Sequence, residues 1–214
     1  GLNQLRRVAN ALIEAYGPPD QIVVELAREL KLSAARKEEI ENEQKRNQDK
    51  NDARRAKLAE LGQSDTYENR LRLRLWEELS GEPLGRQCPF SGENIGIEKL
   101  FGAEVEIEHL LPFAQTWDDS PANKTVAMRF ANRAKGRRPP YEAFGNGPTV
   151  AGFKYDWDAI AARAKDLPAN KQWRFSPDAM NRYERQGGFL ARQLTDTAYL
   201  ARLTKEYLSF SCDP

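Results

Sequence analysis

The amino-acid sequence predicts an α+β fold that is mainly helical, and three patterns support this prediction. Apolar residues recur at helical spacing near the start, in "LNQLRRVANALI". A long run of charged residues and good helix formers spans 34–60. The segment "EVEIEHLLP" instead alternates like a short strand, and it contains the single histidine among 214 residues. Because a helix repeats every 3.6 residues and a strand every two, these patterns place short strands among many helices.

The first third of the chain is predicted to form helix, strand and helix in turn. The N-terminal helix ends at "YGPPD", where Gly17 is followed by two prolines. The segment "QIVVEL" is rich in β-branched residues and is predicted to be a short buried strand, after which "ARELKLS" returns to helix. Residues 34–60 contain only Ile40 and Leu58 as sizeable apolar side chains. We therefore expect an exposed helical connector there.

The middle and the last third differ in their predicted structure. A helix at "YENRLRLRLWEELSG" ends at Gly81, and from there to about residue 147 the chain has strand and loop character. Three helical segments follow, "DWDAIAARAKD", "SPDAMNRYERQ" and "GFLARQLTDTAYLARLTKEYLSF". Breaks at Pro168, Pro177 and Gly187-Gly188 separate them. The last third is therefore predicted to be helical.

The composition predicts a soluble protein without a membrane segment. Lys and Arg total 33, Asp and Glu total 32, and the net charge is +1 with 40% apolar residues. No apolar run approaches the roughly 18 to 20 residues that span a bilayer. The first residues also lack the apolar stretch of a secretory signal, so we expect a cytosolic protein. Two cysteines, Cys88 and Cys212, are too few for a disulfide framework, and structural zinc is not expected.

The single histidine lies at the end of the alternating segment. Val105 and Ile107 share one face of this predicted strand, and Glu106 and Glu108 share the other. A twist or bulge at the strand end would let Glu108 and His109 border one site. The sequence therefore places a carboxylate and an imidazole next to each other at the same strand end.

The residues after this strand supply further candidates for chemistry. "TWDDSPANK" is a predicted loop, in which we interpret Asp118 and Asp119 as turn residues rather than metal ligands. "RFANRAKGRR" is predicted to begin a short helix that carries Asn132. Metal-assisted phosphodiester hydrolysis needs oxygen ligands for a hard cation and a base that is neutral near pH 7. Glu108 and Asn132 can supply the oxygens, and His109 the base.

Six basic residues and no acid occur between residues 124 and 138. They are Lys124, Arg129, Arg133, Lys135, Arg137 and Arg138. Clustered Lys and Arg side chains bind the phosphates of nucleic acids. The cluster therefore predicts a surface that contacts a nucleic-acid backbone directly downstream of the histidine.

These motifs together resemble the His-Asn-His (HNH) nuclease domain. The motifs are "EIEHLLP", then "WDDSPANK" with Asn123, then "NRAKG" with Asn132. With "LRLWEE", "CPFSG" and "RPPYEAFG" they are similar to the version found in type II CRISPR RNA-guided DNA endonucleases, the family of CRISPR-associated protein nine, and in particular its compact, type II-C-like members. The segments "YGPPDQIVVELARE" and "FLARQLTDTAYLAR" resemble those that flank this domain in the family.

The resemblance implies a ββα-metal (His-Me finger) core around residues 85–145 that holds one Mg²⁺, with Mn²⁺ as a substitute. His109 corresponds to the general base, and Glu108 and Asn132 to metal ligands. Asn123 corresponds to a loop residue that helps to orient the histidine. Family members usually carry Asp at the position of Glu108, so the longer side chain must fold back to reach the ion.

The flanks imply a second, incomplete nuclease site. Glu25 matches a metal-binding acid of the RuvC-like nuclease, whose late histidine has no counterpart here because His109 is already assigned. We divide the chain into a RuvC-like stub at 1–33, a charged helical connector at 34–70, an HNH domain at 71–186 and a returning helix at 187–214.

The resemblance implies a Mg²⁺-dependent endodeoxyribonuclease domain that cuts the DNA strand paired with a guide RNA. Its implied partners are that heteroduplex and the remaining domains of the parent effector, with no membrane partner. We expect the isolated chain to be monomeric and the protein to lie in the bacterial cytoplasm. Two alternatives stay open: a free-standing HNH restriction or homing endonuclease, and a non-catalytic nucleic-acid-binding module.

Overall fold

The computed structural model describes residues 2–19, 23, 34–188, 197, 199–201 and 203–204. The chain divides into two units, one made of residues 1–34 and 189–214 and the other of residues 35–188. The predicted strand "QIVVEL" lies, except for one residue, outside the described residues, and so do Glu25 and most of the last predicted helix. The predicted domain boundaries therefore stay predictions.

Helix α1 (Leu2–Tyr16) belongs to the first unit and confirms the predicted N-terminal helix. It ends at Gly17, whose φ of 85° is a left-handed conformation that glycine adopts without strain. Val8 and Leu12 on this helix are exposed.

The helices that follow α1 are mostly short. They are α2 (Ala34–Glu60), α3 (Tyr67–Glu77), α4 (Ile97–Leu100), α5 (Phe113–Thr116), α6 (Arg129–Lys135), α7 (Pro140–Phe144), α8 (Trp157–Ala164), α9 (Ala169–Gln172) and α10 (Ala179–Arg185). Single 3₁₀ turns occur at Pro83–Gly85, Pro121–Asn123 and Trp173–Phe175. None of the helices in the described ranges is long and apolar enough to cross a membrane.

The charged run at 34–60 forms one continuous helix, as predicted, but its end is anchored. Leu58 is fully buried in the core. Arg54 donates through Nε and Nη2 to Glu77 Oε2 of α3, at 2.9 and 2.7 Å. Helix α3 begins at an N-cap, where the Thr66 hydroxyl accepts from the Asn69 amide. The end of α2 therefore packs as part of the domain.

Strands β1 (Val105–His109) and β2 (Lys124–Met128) form an antiparallel pair in which His109 lies opposite Lys124. Helix α6 follows β2 without a loop, which completes a ββα unit. A second antiparallel pair joins β3 (Thr149–Val150) and β4 (Phe153–Lys154). Strand and loop character was predicted for 81–147 with one short helix at Asn132, which α6 confirms, whereas α4, α5 and α7 were not predicted. Helices of four or five residues are too short to show a hydrophobic period.

One apolar core joins α3, β2, the segment after α3 and the C-terminal helices. Its largest fully buried apolar side chains include Phe90, Phe144, Tyr155, Leu73 and Ile95. The small sheets lie among many helices, so the predicted mainly helical α+β class is confirmed. The core holds the ββα unit in place and leaves one face of β1 for polar side chains.

Candidate active site

One face of β1 presents two carboxylates to helix α6. Arg129 Nε donates to Glu106 Oε1 at 2.5 Å, and Asn132 Nδ2 donates to Glu106 Oε2 at 2.9 Å. Lys135 Nζ lies 2.7 Å from Glu108 Oε1. The three α6 residues are spaced three apart and so share one helical face. The alternation predicted for β1 thus sets an acidic strand face against a basic and amide-bearing helix face.

Lys135 brings a positive charge into the interior beside Glu108. The side chain is 1% exposed, and Nζ also donates to the carbonyls of Gly136 and Arg138, at 3.2 and 2.9 Å. Burial lowers the pKa of Lys135, while the neighbouring Glu108 carboxylate opposes that shift. The position next to Glu108 is therefore built to stabilise a cation.

His109 belongs to a second polar network at the end of the strand. Its Nε2 lies 2.9 Å from Asp119 Oδ1, and Lys124 Nζ lies 2.7 Å from the same oxygen. Burial opposes ionisation of Asp119, but the hydrogen bonds from Lys124 and His109 outweigh it and lower the pKa of Asp119. The Phe113 ring packs on the histidine, with centroids 5.3 Å apart.

Asn123 is buried and holds the loop between the two strands. Its Oδ1 accepts from the Leu111 amide at 2.9 Å, and its Nδ2 donates to the carbonyls of Leu111 and Asp118, both at 3.0 Å. In the part of the chain that the structure describes, Asn123 does not bond to His109. Any effect of Asn123 on the histidine therefore acts through the loop.

The predicted site residues fall into two neighbouring networks. Glu108 and Asn132 lie at the β1–α6 contact, where Glu106 joins them, whereas His109 bonds to Asp119 at the strand end. Within the described ranges, Glu108, His109 and Asn132 share no direct hydrogen bond. Their convergence on one ion therefore stays a prediction.

The β1–α6 contact fits a hard divalent cation through its chemistry. No group of three or more His, Cys, Asp or Glu among the described residues is arranged to hold a metal ion. Both oxygens of Glu106 accept from Arg129 and Asn132, so a site here would need the amide oxygen of Asn132 beside the carboxylate of Glu108. Both are oxygen ligands of the kind that Mg²⁺ prefers. Because Asn132 Nδ2 donates to Glu106, its Oδ1 is the atom left to accept.

The sequence suggested one basic surface at 124–138, but the six basic residues do not form a single exposed patch. Arg133, Arg137 and Arg138 are exposed. Lys124, Arg129 and Lys135 instead pair with acidic partners from outside the basic segment. The tertiary fold brings those acids from other segments. The absence of acids within 124–138 therefore does not mean that all six basic side chains are free to contact phosphates.

Two residues of these networks, Glu106 and Asp119, were not predicted to be site residues. Glu106 carries a usable signal, because it lies two residues before Glu108 and so shares its face. Asp119 carries none, because it lies ten residues after His109 in a loop whose path is set by tertiary contacts. Asp118 fits the turn interpretation, since its Oδ1 accepts from the Ser120 amide at 3.0 Å. The Asp119 side chain instead bonds to the histidine, and its interpretation as a turn residue rather than a metal ligand stays a prediction.

Comparison with known proteins agrees with this geometry. Residues 88–141, which contain β1, β2 and α6, match the family model described as HNH endonuclease. Over 94% of its length, the chain is 31% identical to CRISPR-associated endonuclease Cas9 1 of Streptococcus thermophilus. It is 35% identical over 98% of its length to CRISPR-associated endonuclease Cas9 of Campylobacter jejuni.

Residues 88–141 therefore form an HNH domain, and the chain is similar over nearly its whole length to a segment of Cas9 endonucleases. A crystal structure of Streptococcus thermophilus Cas9 in complex with the GGAA PAM matches 97% of this chain with a TM-score of 0.61 and 26% identity. That match spans 20% of the solved chain. The chain likewise spans about a fifth of the length of the curated relatives, 19% and 20%.

Proposed function

We propose that this chain is the metal-dependent nuclease domain of a CRISPR RNA-guided effector, and that it hydrolyses the DNA strand paired with the guide RNA. The observation that carries the proposal is the ββα unit inside the HNH match, in which Asn132 of α6 donates to Glu106 of β1, the strand that also carries Glu108 and ends at His109. That unit combines oxygen ligands with a base at one strand end.

His109 takes the role of general base. Histidine is the side chain whose charge ordinarily changes near neutral pH, so a neutral imidazole can accept a proton from water. The water oxygen then forms a bond to phosphorus. The bond from phosphorus to the 3′ oxygen breaks, its electron pair stays on that oxygen, and a solvent proton neutralises it. His109 returns its proton to solvent.

Glu108 and Asn132, with Glu106 beside them, would hold the cofactor, for which we propose Mg²⁺ with Mn²⁺ as a substitute. The bound cation supplies charge stabilisation at the phosphate and the departing oxygen. Glu106 orients the Asn132 amide through the 2.9 Å hydrogen bond. Arg129 in turn holds Glu106, so the ligand face is fixed before substrate arrives.

Arg133, Arg137 and Arg138 take the substrate role, because they are the exposed members of the basic segment. Arginine binds phosphate oxygens with little dependence on base sequence. In effectors guided by RNA, base pairing reads the sequence and the protein reads the backbone. We therefore propose a guide–target heteroduplex and the remaining effector domains as partners, a monomeric chain, and the bacterial cytoplasm as location.

The test is cleavage of labelled duplex and single-stranded DNA by the chain, with Mg²⁺ or with EDTA. His109→Ala and Asn132→Ala should each abolish metal-dependent cleavage while circular dichroism stays unchanged. Asn47→Ala, an exposed site on α2, is the matched control and should cleave like wild type. DNA binding without metal-dependent cleavage at any protein concentration would instead favour the non-catalytic binding module.

A further inference from the structure

Asp119 is the one side chain in the described ranges that hydrogen-bonds to the imidazole of His109. The two atoms, His109 Nε2 and Asp119 Oδ1, are 2.9 Å apart. Lys124 contacts the same oxygen at 2.7 Å, and the antiparallel register places Lys124 directly opposite His109. The strand pairing therefore sets the histidine and the lysine side by side, with the carboxylate between them.

An ionised carboxylate has no proton to donate, so it can only accept a hydrogen bond. The lysine beside it keeps Asp119 ionised, in agreement with the lowered pKa of this carboxyl. His109 Nε2 must then carry the proton that Asp119 accepts. In a neutral imidazole with Nε2 protonated, the lone pair lies on Nδ1.

The loop that carries Asp119 is held from several directions. The buried Asp118 accepts from Arg174 Nη2 at 3.4 Å, and Tyr183 donates its hydroxyl to the Thr116 carbonyl at 2.7 Å. Asn123 closes the same loop through the backbone of Leu111 and Asp118. Asp119 itself remains 61% exposed, so its removal should leave this scaffold intact.

We propose that Asp119 is a positioning residue that holds His109 with Nε2 protonated, so that Nδ1 is the nitrogen that accepts the proton of the attacking water. The inference rests on the proposed nuclease function. Lys124 acts through Asp119, by fixing the carboxylate oxygen that the histidine meets. Neither residue touches the substrate in this role.

The hydrogen bond can be observed directly, because the chain contains a single histidine. In protein labelled with ¹⁵N-histidine, a long-range ¹H–¹⁵N spectrum at pH 7.5 to 8 shows only His109. We expect Nε2 to be protonated, with its proton visible because the hydrogen bond slows exchange. In Asp119→Ala that proton signal should be lost. A proton on Nδ1 in wild type, or an unchanged signal in Asp119→Ala, overturns the proposal.

Kinetics provide the second readout. Asp119→Ala should lower kcat by at least about tenfold with KM unchanged, because an outer partner orients the base without binding substrate. The matched control is Asp178→Ala, another exposed aspartate with two partners, Ser176 and Arg185, both at 2.9 Å; it should change neither value. Full kcat in Asp119→Ala while His109→Ala is inactive overturns the positioning role alone. Full activity in His109→Ala overturns the general-base role of His109, whereas absence of metal-dependent cleavage by wild type overturns the proposed nuclease function. In both cases the spectrum still tests the hydrogen bond.

Discussion

Two buried lysine–glutamate pairs in this domain look alike and differ in their surroundings. Lys135 pairs with Glu108 in the β1–α6 contact, and Lys171 pairs with Glu78 between α9 and the end of α3. The lysine side chains are 1% and 2% exposed. Each also donates to backbone carbonyls, and burial lowers the pKa of each while its glutamate opposes the shift.

The glutamates differ in how fully the protein satisfies them. Glu78 receives Arg74 Nε on Oε1 at 2.9 Å and Lys171 on Oε2, so both oxygens are used. Among the described residues, only Oε1 of Glu108 has a partner, and Glu106 and Asn132 lie on the same face. The Lys171–Glu78 pair is therefore complete as a structural link. The Lys135–Glu108 pair leaves one carboxylate oxygen for a further cation.

The largest expected effect comes from breaking the structural pair. Lys171→Met leaves Glu78 without its buried partner and the Lys124 carbonyl without a donor. We expect unfolding to become easier by about 3–5 kcal/mol. Urea unfolding measures this, and Lys165→Met, at an exposed position, should change little. A loss below about 1 kcal/mol for Lys171→Met would contradict the structural role.

The same change at the candidate site should depend on metal. Without divalent cations, Lys135→Met should destabilise by about 3 kcal/mol, for the same reason. With saturating Mg²⁺ the ion replaces the ammonium beside Glu108. The difference in free energy of unfolding between Lys135→Met and wild type should therefore narrow by at least about 1 kcal/mol. The difference in free energy of unfolding between Lys171→Met and wild type should not change with Mg²⁺. Equal stability differences with Mg²⁺ and with EDTA would contradict the replacement of the ammonium by the ion.

Asp119 provides a more exposed acid for comparison. Because its pKa in the folded protein lies below the ordinary value of 3.8, its ionised form stabilises the fold above that value, and the contribution is lost as pH falls through the folded-state pKa. The stability advantage of wild type over Asp119→Asn should therefore shrink between about pH 5 and pH 2. Urea midpoints across that range test it, and a difference independent of pH would contradict it.

The smallest effect is expected for an exposed pair on α2. Arg55 lies 3.1 Å from Asp52 and 3.4 Å from Asp65, and all three side chains are about half exposed. Water screens such a pair, so Arg55→Ala should change the free energy of unfolding by about 0.5 kcal/mol or less. Urea unfolding of Arg55→Ala, measured together with Lys171→Met and Lys135→Met, compares the three losses of stability. A loss of stability comparable to that of Lys171→Met would mean that solvent exposure does not explain how much these ion pairs contribute to stability.

The sequence predicted those elements whose signal is local and long enough to read. Helices α1, α2 and α3, the strand at His109 and the helix that carries Asn132 all follow from periodicity and end signals. The short helices α4, α5 and α7 did not, because one turn of helix is stabilised by the packing around it rather than by propensity.

By itself the sequence determined which groups this protein has for chemistry: one imidazole, an alternating pair of carboxylates two residues apart, and an asparagine in a short helix. It also carried the HNH motif, because motif spacing is a property of the chain alone. Only the tertiary structure decided which charges meet. Glu106 and Glu108 meet α6, and Asp119 meets His109 and Lys124, because ion pairs form between residues far apart in sequence whose approach depends on strand register and loop packing.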